Sequence, residues 1–84
     1  MEKQAYILKV NGTKVVLSDR PTLEEAQEYV GGWVELIKIY GGAMFVDEEG
    51  RLKAYEQNKE ATKEAGKEIC GNAVVLKGCK TLKG

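Results

Sequence analysis

No histidine occurs anywhere in these 84 residues. That removes the commonest general base and, with it, the Ser–His and Cys–His nucleophile pairs. Cysteine is scarce as well. Cys70 and Cys79 stand alone with no C-x-x-C spacing, so no zinc-ligand constellation can be assembled, and no cofactor or metal is expected. Net charge is missing too: 13 Lys and Arg balance 13 Asp and Glu, leaving no global field to draw the chain onto nucleic acid or an anionic membrane. No run approaches the ~18 apolar residues that span a bilayer, and the start MEKQAYILKVNG lacks an apolar segment after a basic one. The expectation is a cytosolic chain with two unpaired thiols, a Cys70–Cys79 disulfide being the lesser alternative. Length sets the remaining bound. A chain of 84 residues is one domain, residues 1–84, that buries only roughly 60% of its unfolded surface, so a homo-oligomer is expected.

Two runs rich in β-branched and large apolar side chains, Gln4 to Val10 and Thr13 to Ser18, flank Asn11-Gly12, a dipeptide suited to a type I′ turn, and predict a hairpin. The single proline, Pro21, precedes Thr22, which with Glu25 makes a capping box for a helix over Leu23 to Val30. Leu23, Ala26 and Val30 share its apolar face, and Gly31-Gly32 closes it. A strand from Trp33 to Tyr40 follows, then a Gly41-Gly42 turn and a return over Ala43 to Asp47. Asp47-Glu48-Glu49-Gly50 reads as a solvated turn, and Arg51 to Tyr55 as a short edge strand guarded by Arg51 and Lys53. Asn58 caps a second helix, Lys59 to Ala65, stopped by Gly66. Ala73-Val74-Val75-Leu76 reads as a strand buried on both faces. The tail 78–84 reads as a loose end, with Lys77, Lys80 and Lys83 either solvated or a small phosphate-binding patch. The predicted class is α+β, a mostly antiparallel sheet in the order ββαβββαβ with two short helices packed on one side.

Side chains that break the pattern are the candidates for chemistry. Glu35 shares its strand face with Trp33, Ile37 and Ile39, so it is either a shielded carboxylate contacting a ligand or interface, or a rim residue that reaches water. Trp33, directly after two glycines, either stacks on a flat ligand or plugs a core or dimer contact. Asn58, Thr62 and Asn72 carry donors and acceptors suited to a base edge or ribose, against structural readings as a cap and a turn. Arg51 or Arg20 is the candidate for meeting phosphate. The Gly-Gly pair follows a helix and precedes a strand. Phosphate-cradling loops run in the opposite order, so no nucleotide-triphosphate motif is present.

The segments VGGWVEL, FVDEEGRLKAYEQNKEAT and GNAVVL, in this order, resemble a family of small domains of unknown function common in bacteriophages, large DNA viruses and mobile elements. The resemblance spans roughly residues 5–77 and falls on Gly31, Gly32, Glu35, Asp47, Gly50, Asn58, Ala61, Thr62, Gly71 and Asn72. It departs at Ala54-Tyr55-Glu56, where relatives have a small, apolar, Pro-containing stretch. It implies a viral accessory protein acting in the host cytoplasm. The expected function is non-enzymatic: an anti-defence protein that binds and sequesters a small nucleotide-type signalling ligand through Trp33, Glu35, Arg51, Asn58, Thr62 and Asn72. The alternative is a protein–protein inhibitor or adaptor acting on a host defence or replication protein.

Overall fold

The computed structural model describes residues 3–84. In chain order the elements are β1 Gln4–Leu8, β2 Lys14–Leu17, α1 Leu23–Val30, β3 Val34–Ile39, β4 Gly42–Asp47, α2 Lys59–Ala65 and β5 Ala73–Lys77. All four strand pairings are antiparallel, and the sheet order is β2-β1-β5-β4-β3. The α+β class and the antiparallel sheet match the sequence reading. One expected strand does not form.

Arg51 to Tyr55 is a series of turns. Its amides bond locally, Lys53 N–H to Glu49 O, Ala54 N–H to Arg51 O and Tyr55 N–H to Gly50 O, which leaves none of these donors for a ladder. Ala54 sits at φ +59, a left-handed conformation that reverses the chain just before Tyr55. The outer edge therefore falls to β3.

The two helices, expected on one side, cover opposite faces of the sheet. Alternation along the strands produces this. Ala5, Ile7, Ala43, Phe45, Val74 and Leu76 point to one face and pack with Ala26 and Val30 of α1. Tyr6, Leu8, Met44, Val46 and Val75 point to the other and pack with Ala61 of α2. The three interior strands, β1, β5 and β4, are thus apolar on both faces, and each face requires its own cover. The chain comes so close at the β4–β5 crossing that a Cβ on Gly42 would run into Leu76 O.

Local signals placed the helices well. Thr22 Oγ1 accepts from Glu25 N–H while Glu25 Oε1 accepts from Thr22 N–H, and Gly31 closes α1 at φ +90. Leu23, on the same apolar face in the sequence, is half-exposed rather than buried. In the first hairpin Asn11 keeps a negative φ. The reversal is a Lys9–Gly12 turn with Gly12 at φ +89, in place of a type I′ turn.

The tail is held rather than loose. Lys83 N–H donates to Pro21 O at 2.9 Å, Lys83 Nζ pairs with Asp19 at 3.0 Å, and Leu82 packs beside the α1 core.

Candidate functional site

The end of β4, the C-terminus of α1 and the start of β5 meet at one corner of the sheet. Asp47, expected in a solvated turn, is buried there with its side chain only 1% exposed. It is the last β4 residue on the α1 face, so the same alternation that buries Phe45 carries its carboxylate inward. Lys53 Nζ donates to Asp47 Oδ2 at 2.8 Å and to Gly31 O at 3.2 Å, tying the α1 terminus to the turn. Glu49 N–H donates to Asp47 Oδ1 at 2.8 Å. Burial alone would push the Asp47 carboxyl up. The Lys53 ammonium and the Glu49 amide outweigh it, with a smaller contribution from the Tyr55 hydroxyl, and hold the group below its ordinary value. The Lys53 ammonium is correspondingly raised by its bond to Asp47.

Tyr55 closes this corner. A Cβ on Gly71 would lie 2.6 Å from the Tyr55 ring, and one on Gly31 would lie 2.8 Å from its hydroxyl oxygen. A Cβ on Gly32 would meet Lys53 Nζ at 2.6 Å. The glycines of the VGG and GN segments are therefore small because this ring and this ion pair occupy their side-chain space.

Beside Tyr55 opens a cleft of about 370 Å³, within the range of small-ligand sites. Tyr29 from α1 and Tyr55 supply aromatic walls, Gly31 and Gly71 line it with backbone, and Glu28, Glu56 and Asn72 supply polar groups. Among the described residues no lysine or arginine lines it. Asn72 is positioned by its Oδ1, which accepts from Val10 N–H at 3.1 Å.

The six residues singled out from sequence do not converge. Asn72 alone lines this cleft. Glu35 and Arg51 line a separate groove of about 290 Å³ on the α2 side of the turn, where Glu35 is exposed and Arg51 pairs with Glu68 at 3.5 Å. Trp33 is 68% exposed at the sheet edge. Asn58 is fully buried, and its side chain is engaged internally: Oδ1 accepts from Ala61 N–H, and Nδ2 donates to Leu8 O at 2.8 Å and Gly71 O at 2.9 Å. Thr62 Oγ1 accepts from Ile69 N–H at 3.0 Å. Asn58 and Thr62 therefore brace the loop around α2 from inside. Arg20 donates to Thr81 O and Oγ1 at 3.0 Å and is not among the residues that line the cleft.

Sequence reasoning did not place Lys53, Tyr29 and Tyr55 at a site, and it gave Asp47, on which the resemblance falls, only a solvated turn. The available signal was the recurrence of glycines in the VGG, DEEG and GN segments, which marks close approach as readily as it marks turns. Among the described residues no group of three His, Cys, Asp or Glu could hold a metal ion. Cys70 and Cys79 are both free thiols, and among the described residues no helix is long and apolar enough to cross a membrane.

Fold and corner together describe a small α+β domain with an aromatic cleft at one end of its sheet. The chain belongs to the family described as a domain of unknown function, DUF3846, whose profile matches residues 2–82. No curated protein and no solved structure matches it.

Proposed function

We propose that this domain is a non-enzymatic binding module, an accessory protein of a phage or mobile element that docks onto a host protein through the Tyr29–Tyr55 cleft and takes up a basic side chain there. The observation that carries this reading is the charge of the cleft. Among the described residues two carboxylates and two tyrosine rings line it and no lysine or arginine does, so a phosphate would meet repulsion while a guanidinium or ammonium would meet ring faces and counter-charges. The arginines nominated for phosphate lie elsewhere, Arg51 against Glu68 and Arg20 against Thr81. The viral setting rests on the VGGWVEL, DEEG and GNAVVL resemblance. Sequestration of a nucleotide-type ligand in the host cytoplasm is the second reading. It is supported by the paired tyrosines and by Asn72, which suit a flat base with hydrogen-bonding edges.

The test sets both readings against each other. Arginine-containing peptides and a panel of cyclic dinucleotides and cyclic ADP-ribose isomers are compared by thermal shift, since a ligand at ~100 times its Kd adds ~2.7 kcal/mol of stability. Stabilisation by basic peptides that is lost in Glu56→Lys and Tyr29→Ala supports protein docking. Stabilisation by a nucleotide alone overturns it in favour of capture.

A further inference from the structure

We propose that two copies of this chain pair through the outer edge of β3, antiparallel about a two-fold axis normal to the sheet, and so join two five-stranded sheets into one of ten strands. The inference is independent of the cleft. β3 ends the sheet, and its hydrogen bonds have a definite phase. Glu48 N–H donates to Trp33 O at 2.9 Å, and the register continues through Glu35–Val46, Ile37–Met44 and Ile39–Gly42. Odd-numbered residues thus turn their backbone groups toward β4, and the N–H and C=O groups of Val34, Leu36 and Lys38 point away from the sheet.

Solitary edges are ordinarily protected by charged side chains, a proline, a bulge, a very short strand or a covering loop, and of these β3 has only Glu35 and Lys38. β3 has six residues, no proline and an unbroken register with β4. Its exposed side chains are mixed: Trp33 is 68% exposed, Leu36 50% and Tyr40, just past its end, 91%, while the exposed charges Glu35 and Lys38 lie on opposite faces. The opposite edge, β2, also exposes an apolar side chain, Val16 at 73%, but is shorter. It has four residues, and its Lys14 ammonium lies over the Tyr6 ring at 4.2 Å.

What selects a second copy as the occupant is the self-complementarity of the strand. A two-fold axis normal to the sheet keeps each face on its own side, so only residues of equal parity can lie opposite one another. Centring the axis at Glu35 would place two carboxylates together, and centring it at Lys38 would place two ammonium groups together. Centred at Leu36, the pairing sets Leu36 against Leu36, Val34 against Lys38, Glu35 against Ile37 and Trp33 against Ile39. The outward backbone groups of Val34, Leu36 and Lys38 then fall on hydrogen-bonded pairs, and no like charges oppose each other.

Size-exclusion chromatography with light scattering reads the outcome directly. The expected result is twice the chain mass at high concentration, with Trp33 emission shifting to the red on dilution as the indole returns to water. Leu36→Pro removes an N–H that points away from β4, so the fold persists by circular dichroism while the mass falls to one chain. Leu36→Lys and Leu36→Glu should each be single chains, and an equimolar mixture of the two should regain the double mass because the two side chains meet. A single-chain mass for the wild type at high concentration, a double mass that survives Leu36→Pro and Leu36→Lys, or failure of the mixture to reassociate would overturn the proposal.

Discussion

Asn58 gives the sharpest test of how this fold is pinned together. As an N-cap it would be replaceable by Asp or Ser, both good caps, at little cost. The structure makes it more than a cap. Its Oδ1 holds Ala61 N–H, while its Nδ2 hydrogens hold Leu8 O at the end of β1 and Gly71 O before β5, in a site with 0% exposure. Asn58→Ala removes a cap worth ~1 kcal/mol and withdraws a donor from each of two carbonyls inside the protein, at ~1 kcal/mol or more apiece. The sum is roughly 3 kcal/mol, a large share of the ~4–13 kcal/mol expected for a domain of this length. It corresponds to a Tm lower by roughly 12–24 °C. Asn58→Asp sharpens the point. It keeps the cap acceptor but sets an oxygen in place of the donor facing two carbonyl oxygens, so it should cost at least as much as Ala. Chemical denaturation at neutral pH measures both. Stability of Asn58→Asp within about 0.5 kcal/mol of wild type would refute the pinning argument, since only capping would then matter.

Acid stability should report on Asp47. Its folded carboxyl lies below the ordinary 3.8, so the unfolded chain binds the proton more readily. The contribution is complete above the unfolded value and is lost as pH falls through the lower folded one. Asp47→Asn should therefore be less stable than wild type at neutral pH, and the gap should narrow below pH 3.8 in melts across the acid range. A gap constant with pH would contradict the ion-pair account. Asp19, paired with Lys83, titrates in the same window in both proteins and cancels in the comparison. Gly71→Ala should destabilise strongly, because the residue sits at φ +88 and the added methyl would lie 2.6 Å from the Tyr55 ring. Pairing it with Tyr55→Ala should recover part of the loss in a double-mutant cycle, and strict additivity would show that ring and glycine do not interact.

Much of this architecture was legible along the chain because its causes are local. Thr22 and Glu25, Asn58 and the closing glycines act within one turn of the residues they cap, so both helices fall where these residues place them. The uninterrupted Ala73–Leu76 run marked a strand buried on both faces, and the structure makes it central. The same doubly apolar pattern in Ala43–Val46 carried the message that both faces need a helix, but connectivity alone does not say which helix crosses which face. The Arg51–Tyr55 segment misled because a lone Leu52 among polar neighbours fits an edge strand as well as a turn, and here nearby carbonyls satisfied the backbone first.

The candidate site was the least legible part, because it joins residues distant in sequence. Nothing local to Asp47 says that it is buried, or that Lys53 will reach back to the end of α1. Nothing local to Tyr55 says that its ring will take the space left by Gly31 and Gly71. Asn58 and Thr62 were chosen for their hydrogen-bonding capacity, and that capacity is real, but packing turned it inward. The sequence by itself determined which segments become helix and strand, since capping, turn chemistry and side-chain alternation act over a few residues. Only the tertiary structure decided which polar groups face a cleft and which face the core, because burial and charge pairing depend on partners that the chain brings together only when it folds.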